Sequence, residues 1–231
     1  MSMDEMRASF TLGASGYDRA RQFRAQRLEN NSIKPPIPTA GRPDRLIVHL
    51  MPLAVFFGQS ASVDLIRAKE QFVNLLPLGS AEGCTYRVNL DGYLTYRGGT
   101  VCHGYTQLFR NGIIEAVWIG ILQRQDNIEW IPGRSVENYI MTRIADYIDC
   151  LRTLDIAPPI LIAVTLQNVA GATYRVKPHE TEYPIYRQSF ELPEILIDNY
   201  GARLQYQQSL RPLFDVLWNS AGYDRAESFG H

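Results

Sequence analysis

Apolar residues recur along this chain in two rhythms. Leu46-Ile-Val-His-Leu-Met51 and Ile160-Leu-Ile-Ala-Val-Thr-Leu166 are nearly continuous runs, the pattern of strands buried on both faces. Val136, Ile140, Ile144, Tyr147, Ile148, Leu151 and Leu154 recur instead at helical spacing, with Glu137, Arg143, Asp146 and Asp149 between them. This predicts a helix from Ser135 to Leu154 with those charges on its outer side, stopped by Pro158 and Pro159. A closing helix is expected from about Ser209, with Pro212 in its first turn, Leu213, Phe214, Leu217 and Trp218 inward, and Gly222 as its stop. A shorter helix capped by Ser62 is expected over 62–73, and a further strand over 186–192.

Between the two continuous runs the chain reads as an antiparallel meander. Tyr105–Val117 contains two strand-like runs joined at Asn111-Gly112, a pair suited to the positive φ angles of a type I′ hairpin turn. Residues 86–96 form another strand-like segment in which Asp91-Gly92 marks a turn or bulge, and Gly98-Gly99 is a further turn. The first 45 residues differ. A helical candidate over 15–29 carries Arg19, Arg21, Arg24 and Arg27, and Pro35, Pro36, Pro38 and Pro43 make 31–45 an extended linker. The expected fold is α+β: a mainly antiparallel sheet packed against two or three helices, with an N-terminal helical arm. Its parts are an arm and linker over 1–45, a domain over 46–222 and a tail over 223–231. Gly-Tyr-Asp-Arg-Ala occurs at 16–20 and again at 222–226, too short a match to establish a repeat.

Composition narrows the function classes. A hydrophobic fraction of 45% with 20% charged residues is ordinary for a globular chain. The net charge of −1 speaks against a dedicated nucleic-acid binder, although residues 1–45 carry a local balance of +3. Three cysteines without CxxC spacing suit neither a zinc site nor a disulfide framework, so a reducing, cytoplasmic compartment is expected. The N-terminus lacks a signal-like apolar core, and no run approaches a membrane span.

Candidate chemistry is sparse. Cys102-His103 invites a nucleophile and base, but neighbours on a strand point to opposite faces, so the base would have to be His49 or His179. No HxH or HExxH spacing points to a metal, and neither catalytic residues nor a cofactor are expected. Asp91, Arg110 and Glu115 fall on neighbouring strands or turns. They read either as a ligand pocket with two carboxylates or as a turn Asp, a solvent-facing Glu and a cross-strand partner Arg. Arg19, Arg21, Arg24 and Arg27 read as a phosphate-binding face or a solvated one.

Five blocks in order carry a family resemblance: Arg21-Gln-Phe-Arg-Ala-Gln-Arg-Leu28, Leu46-Ile-Val-His-Leu-Met-Pro52, Asn89-Leu-Asp-Gly-Tyr-Leu94, Tyr105–Val117 and Leu213-Phe-Asp-Val-Leu-Trp-Asn-Ser-Ala-Gly222. Residues 15–222 resemble the C-terminal region of bacterial AlbA-family (Schlafen-type) putative DNA-binding proteins. In that family an AlbA-type nucleic-acid module precedes this region, and no counterpart is found upstream of residue 15. The resemblance therefore implies a companion domain, as a fragment, a split gene or a stand-alone version. The expectation is a non-catalytic interaction or regulatory module of a nucleic-acid-associated, defence-type system. Its partner is a protein or a second copy, nucleic acid is a weaker alternative, and no membrane is involved.

Overall fold

The computed structural model describes every residue except 1, 2, 34, 59–61, 81, 178–182 and 228–231; for 3–14 and 31–33 it describes the backbone alone. The expected α+β architecture is present: an eight-stranded antiparallel sheet lies between two helical layers. Strand β1 (Arg45–Pro52) pairs on one side with β8 (Ile160–Gln167) and on the other with β5 (Ile114–Ile119). The sheet continues through β4 (Gly104–Phe109) and β3 (Gly92–Arg97) to β2 (Cys84–Val88), its outermost strand. At the opposite edge two short strands, β10 (Ser189–Glu191) and β11 (Ile195–Ile197), share the outer side of β8. A smaller sheet joins β6 (Gln123–Gln125), β7 (Ile128–Pro132) and β9 (Thr173–Arg175).

The continuous apolar runs fall on β1 and β8 because both strands are covered on both faces. On one face Leu46, Val48, Leu50, Ile162 and Val164 pack beneath helices α3 (Gly133–Thr153) and α5 (Arg211–Ser220). Here Tyr147 of α3 donates to Leu76 O at 2.8 Å and lies 3.1 Å from the Thr106 hydroxyl of β4. On the other face Ile47, Met51, Ile113, Val117, Leu161 and Ala163 lie under helix α1 (Met3–Ile33) and the linker after it. Short helices α2 (Leu65–Glu70) and α4 (Arg203–Ser209) complete the set. Among the described residues no helix is long and apolar enough to cross a membrane.

Several sequence expectations need correction. Helix α1 spans 31 residues and runs through Ile33, so the extended linker starts later than position 31. Of its side chains, Tyr17, Ala20, Phe23 and Leu28 pack on the core of the sheet, so the helical arm docks on the chain's own body. Helix α2 is capped by Asp64, which accepts from Ile66 N at 2.8 Å, and not by Ser62. Glu137 is buried rather than on the outer side of α3: Tyr174 and Trp218 both donate to its carboxylate.

The Asn111-Gly112 hairpin exists with a different turn. Only Gly112 has positive φ, +91°, while Gly112 N bonds Phe109 O at 2.9 Å and Phe109 N bonds Ile113 O at 2.8 Å. That is a three-residue loop ending in a glycine bulge. The type I′ geometry occurs instead at Asp126-Asn127, between β6 and β7, where φ is +51° and +64°. Asp91-Gly92 does mark a turn, the one joining β2 to β3.

Candidate functional site

One transverse row on the α1 side of the sheet carries its polar chemistry. Register places His49 of β1 opposite Glu115 of β5, and Glu115 opposite Gln107 of β4. Alternation turns Glu115 to the same face as Ile113 and Val117, so it points into the core, with 0% of its surface exposed. A carboxylate there is stable only if its charge and lone pairs are met. Arg27 of α1 meets it with two bonds of 2.9 Å, one to each oxygen. Tyr105 donates to Oε1 at 3.1 Å, and His49 Nε2 lies 3.1 Å from Oε2. An ionised carboxylate only accepts, so His49 donates there. Burial alone would push the Glu115 carboxyl up; the hydrogen bonds from Arg27 and His49 outweigh it and bring the value down to about 2.

Helical spacing explains how α1 reaches this row. Gly16, Ala20, Arg24 and Arg27 lie along one stripe, and its small residues let the helix backbone approach the sheet. A Cβ on Gly16 would stand 2.2 Å from the Phe57 ring. Arg24 is buried as well. It donates to the Thr165 hydroxyl, to Val164 O at 3.2 Å and to Glu191 at 2.9 Å, and burial lowers its pKa. Arg21 forms a fork on Glu194, with its shortest bond 2.8 Å, and Arg19 donates to Phe56 O at 2.9 Å. All four arginines of the sequence-defined cluster thus contact the chain's own body, Arg24 and Arg27 from within it. They act as a clamp holding a polar helix across a sheet.

The pocket expected around Asp91, Arg110 and Glu115 is not assembled this way. Glu115 lies beneath α1, Asp91 is exposed, and Arg110 turns back to Leu90 O at 2.9 Å and Asn89 O at 3.5 Å. Glu115 is neither solvent-facing nor the partner of Arg110. Its flanking Ile113 and Val117 were the signal that could have shown a buried acid. A groove of about 550 Å3 opens elsewhere, lined by Tyr183, Tyr186, Arg187, Phe190, Glu191 and Val216.

Cys102 and His103 do face opposite ways. The thiol is buried, donates to Gly104 O at 3.0 Å and is pushed up to about 11 by burial, whereas His103 is exposed. His179 lies outside the described residues. Among those described, no three His, Cys, Asp or Glu side chains group as metal ligands would.

The surface beside β2 has the opposite character. Four of its five residues are exposed, and Tyr86 packs on Tyr93 and Phe72 while Lys69 of α2 stands 5.5 Å over its ring. Ile66, Val73, Tyr86, Val88 and Leu90 keep 74%, 68%, 45%, 49% and 94% of their surface exposed. Ile66 lies three residues before Lys69 on α2, and Val73 follows Phe72, so both belong to the segment that flanks Tyr86. No family model, curated protein or solved structure matches the chain.

Proposed function

We propose that this chain is a non-catalytic interaction module, and that its working surface is the outer edge of the sheet along β2. The observation that carries the reading is the apolar exposure around that edge. Clustered apolar side chains beside an edge strand, whose outer side pairs with no strand among the described residues, are a protein-association surface, not ordinary solvated surface. The buried polar row fits the same reading, because each oxygen of Glu115 is already occupied by groups of the chain itself. The resemblance to the companion region of AlbA-family proteins suggests a bacterial nucleic-acid-associated, defence-type setting. A phosphate-binding role for Arg24 and Arg27 is less favoured, since releasing Arg27 would strand the buried Glu115 without its cation and Arg24 is itself buried against Thr165 and Val164 O.

Placing a photo-crosslinking amino acid at Leu90 in cells tests this directly. The reading expects protein adducts at Leu90 and none from the same probe at Asn127 in the β6–β7 turn of the smaller sheet. Equal labelling at both positions would sink it. So would turnover of a nucleotide or nucleic acid by the purified chain that Glu115→Gln abolishes without unfolding it.

A further inference from the structure

The two edges of the large sheet are treated differently. Along β8 the outer edge is covered by two three-residue strands, with Pro193 between them, a construction that blocks further pairing. Strand β2 at the other edge has no proline, lysine or bulge. Its residues, Cys84-Thr-Tyr-Arg-Val88, are mostly of the β-branched and aromatic types suited to a pleated strand. Among the described residues no strand pairs with its outer side.

The hydrogen-bond phase of that edge follows from its inner partner. Asn89 N bonds Gly92 O at 2.9 Å, so Asn89 and Gly92 form a bonded pair at the end of the hairpin. In an antiparallel ladder bonded and non-bonded pairs alternate. Arg87–Leu94 and Thr85–Tyr96 are therefore bonded pairs, while Val88–Tyr93, Tyr86–Thr95 and Cys84–Arg97 are not. The N–H and C=O groups of Cys84, Tyr86 and Val88 consequently point outward, centred on Tyr86.

A set of outward groups centred on one residue is self-complementary under a two-fold axis. We infer that β2 pairs antiparallel with β2 of a second copy of this chain, the axis passing between the two Tyr86 residues. This rests on reading β2 as the working surface and adds the partner and the register. Tyr86 then faces Tyr86 of the other copy, and Cys84 faces Val88 in both directions, each pair exchanging both backbone bonds. The half-exposed Tyr86 then pairs across the axis with its mate, and the half-exposed Val88 with Cys84 of the other copy. Arg87 is the one charge on the strand, and its guanidinium is drawn back over its own chain to Pro36 O at 2.6 Å, away from its symmetry mate. An isologous contact of this kind closes on itself and makes a dimer, not a fibre. It joins the two sheets into one.

The register gives the experiment. The purified chain is run by light scattering after gel filtration across a dilution series, where a species of twice the 26.3 kDa chain mass is expected. Tyr86→Pro removes an outward N–H without removing a bond to β3, and should give the monomer with unchanged circular dichroism. Val88→Cys treated with diamide, which takes up the two thiol hydrogens, should give a covalent dimer. Adding Cys84→Ser to Val88→Cys should abolish that dimer. A chain that stays monomeric at every concentration, or a crosslink that survives Cys84→Ser, overturns the inference. A monomer whose Leu90 probe still labels another protein removes only the second copy as partner; loss of that labelling removes the broader reading too.

Discussion

Replacing Glu115 by glutamine keeps the shape of the buried row and removes its charge. The carboxyl is brought from an ordinary 4.5 down to about 2 in the folded chain, and it is fully buried, so solvent screening does not dilute the effect. A depressed acid adds stability above its unfolded pKa and loses it as the pH falls toward the folded one. That difference corresponds to about 3 kcal/mol at neutral pH, of which about 2 kcal/mol is gone by pH 3. Removing one partner of a buried pair costs about 3–5 kcal/mol, because Arg27 and His49 keep their donors and lose their anion. Urea unfolding of both proteins at neutral pH should therefore show Glu115→Gln less stable by about that amount. Repeated at steps between pH 5 and pH 3, the gap should narrow by about 2 kcal/mol, the wild type falling toward the variant. A gap that stays constant over that interval would refute the argument, since it would mean the carboxylate is not held ionised by Arg27 and His49.

Other substitutions probe the clamp and the turn, each read by urea unfolding. Arg27→Lys replaces the two-pronged contact with a single ammonium and should cost about 1–2 kcal/mol even though the charge is kept. Arg24→Ala should cost several times more than Arg21→Ala. Arg24 is buried with Thr165 and Val164 as partners, whereas Arg21 is mostly exposed and its pair with Glu194 is worth under about 1 kcal/mol. Thr165→Val leaves the Arg24 guanidinium short of a buried acceptor and should cost about 1–3 kcal/mol. Gly112→Ala puts a side chain at φ +91° and 3.2 Å from Ile156, and should lower stability by about 1–2 kcal/mol. Equal stability in the last case would mean the loop relaxes to a different turn.

Much of the fold could be read along the chain. The continuous runs at Leu46 and Ile160 identify strands covered on both faces, and the helical spacing from Val136 to Leu154 identifies α3, because burial imposes its period on neighbouring residues. The hairpin at Asn111-Gly112 was legible for the same reason. Its turn type was not, since Asn-Gly suits more than one geometry and the approach of Ile156 to Gly112 comes from a distant segment. Helical periodicity did not separate Glu137 from the acids on the solvated face of α3, and the alternation that marks Glu115 as buried does not name its partners. Glu115 and Arg27 are 88 residues apart, and only the packing of α1 across the sheet makes a pair of them. The arginines of α1 tell the same story: Arg21, Arg24 and Arg27 follow one another at about one-turn spacing, but that spacing does not say whether water, phosphate or a carboxylate meets each of them. Local order follows from local pattern; the partners of buried charges follow from which surfaces meet, and that is settled only when the whole chain is packed.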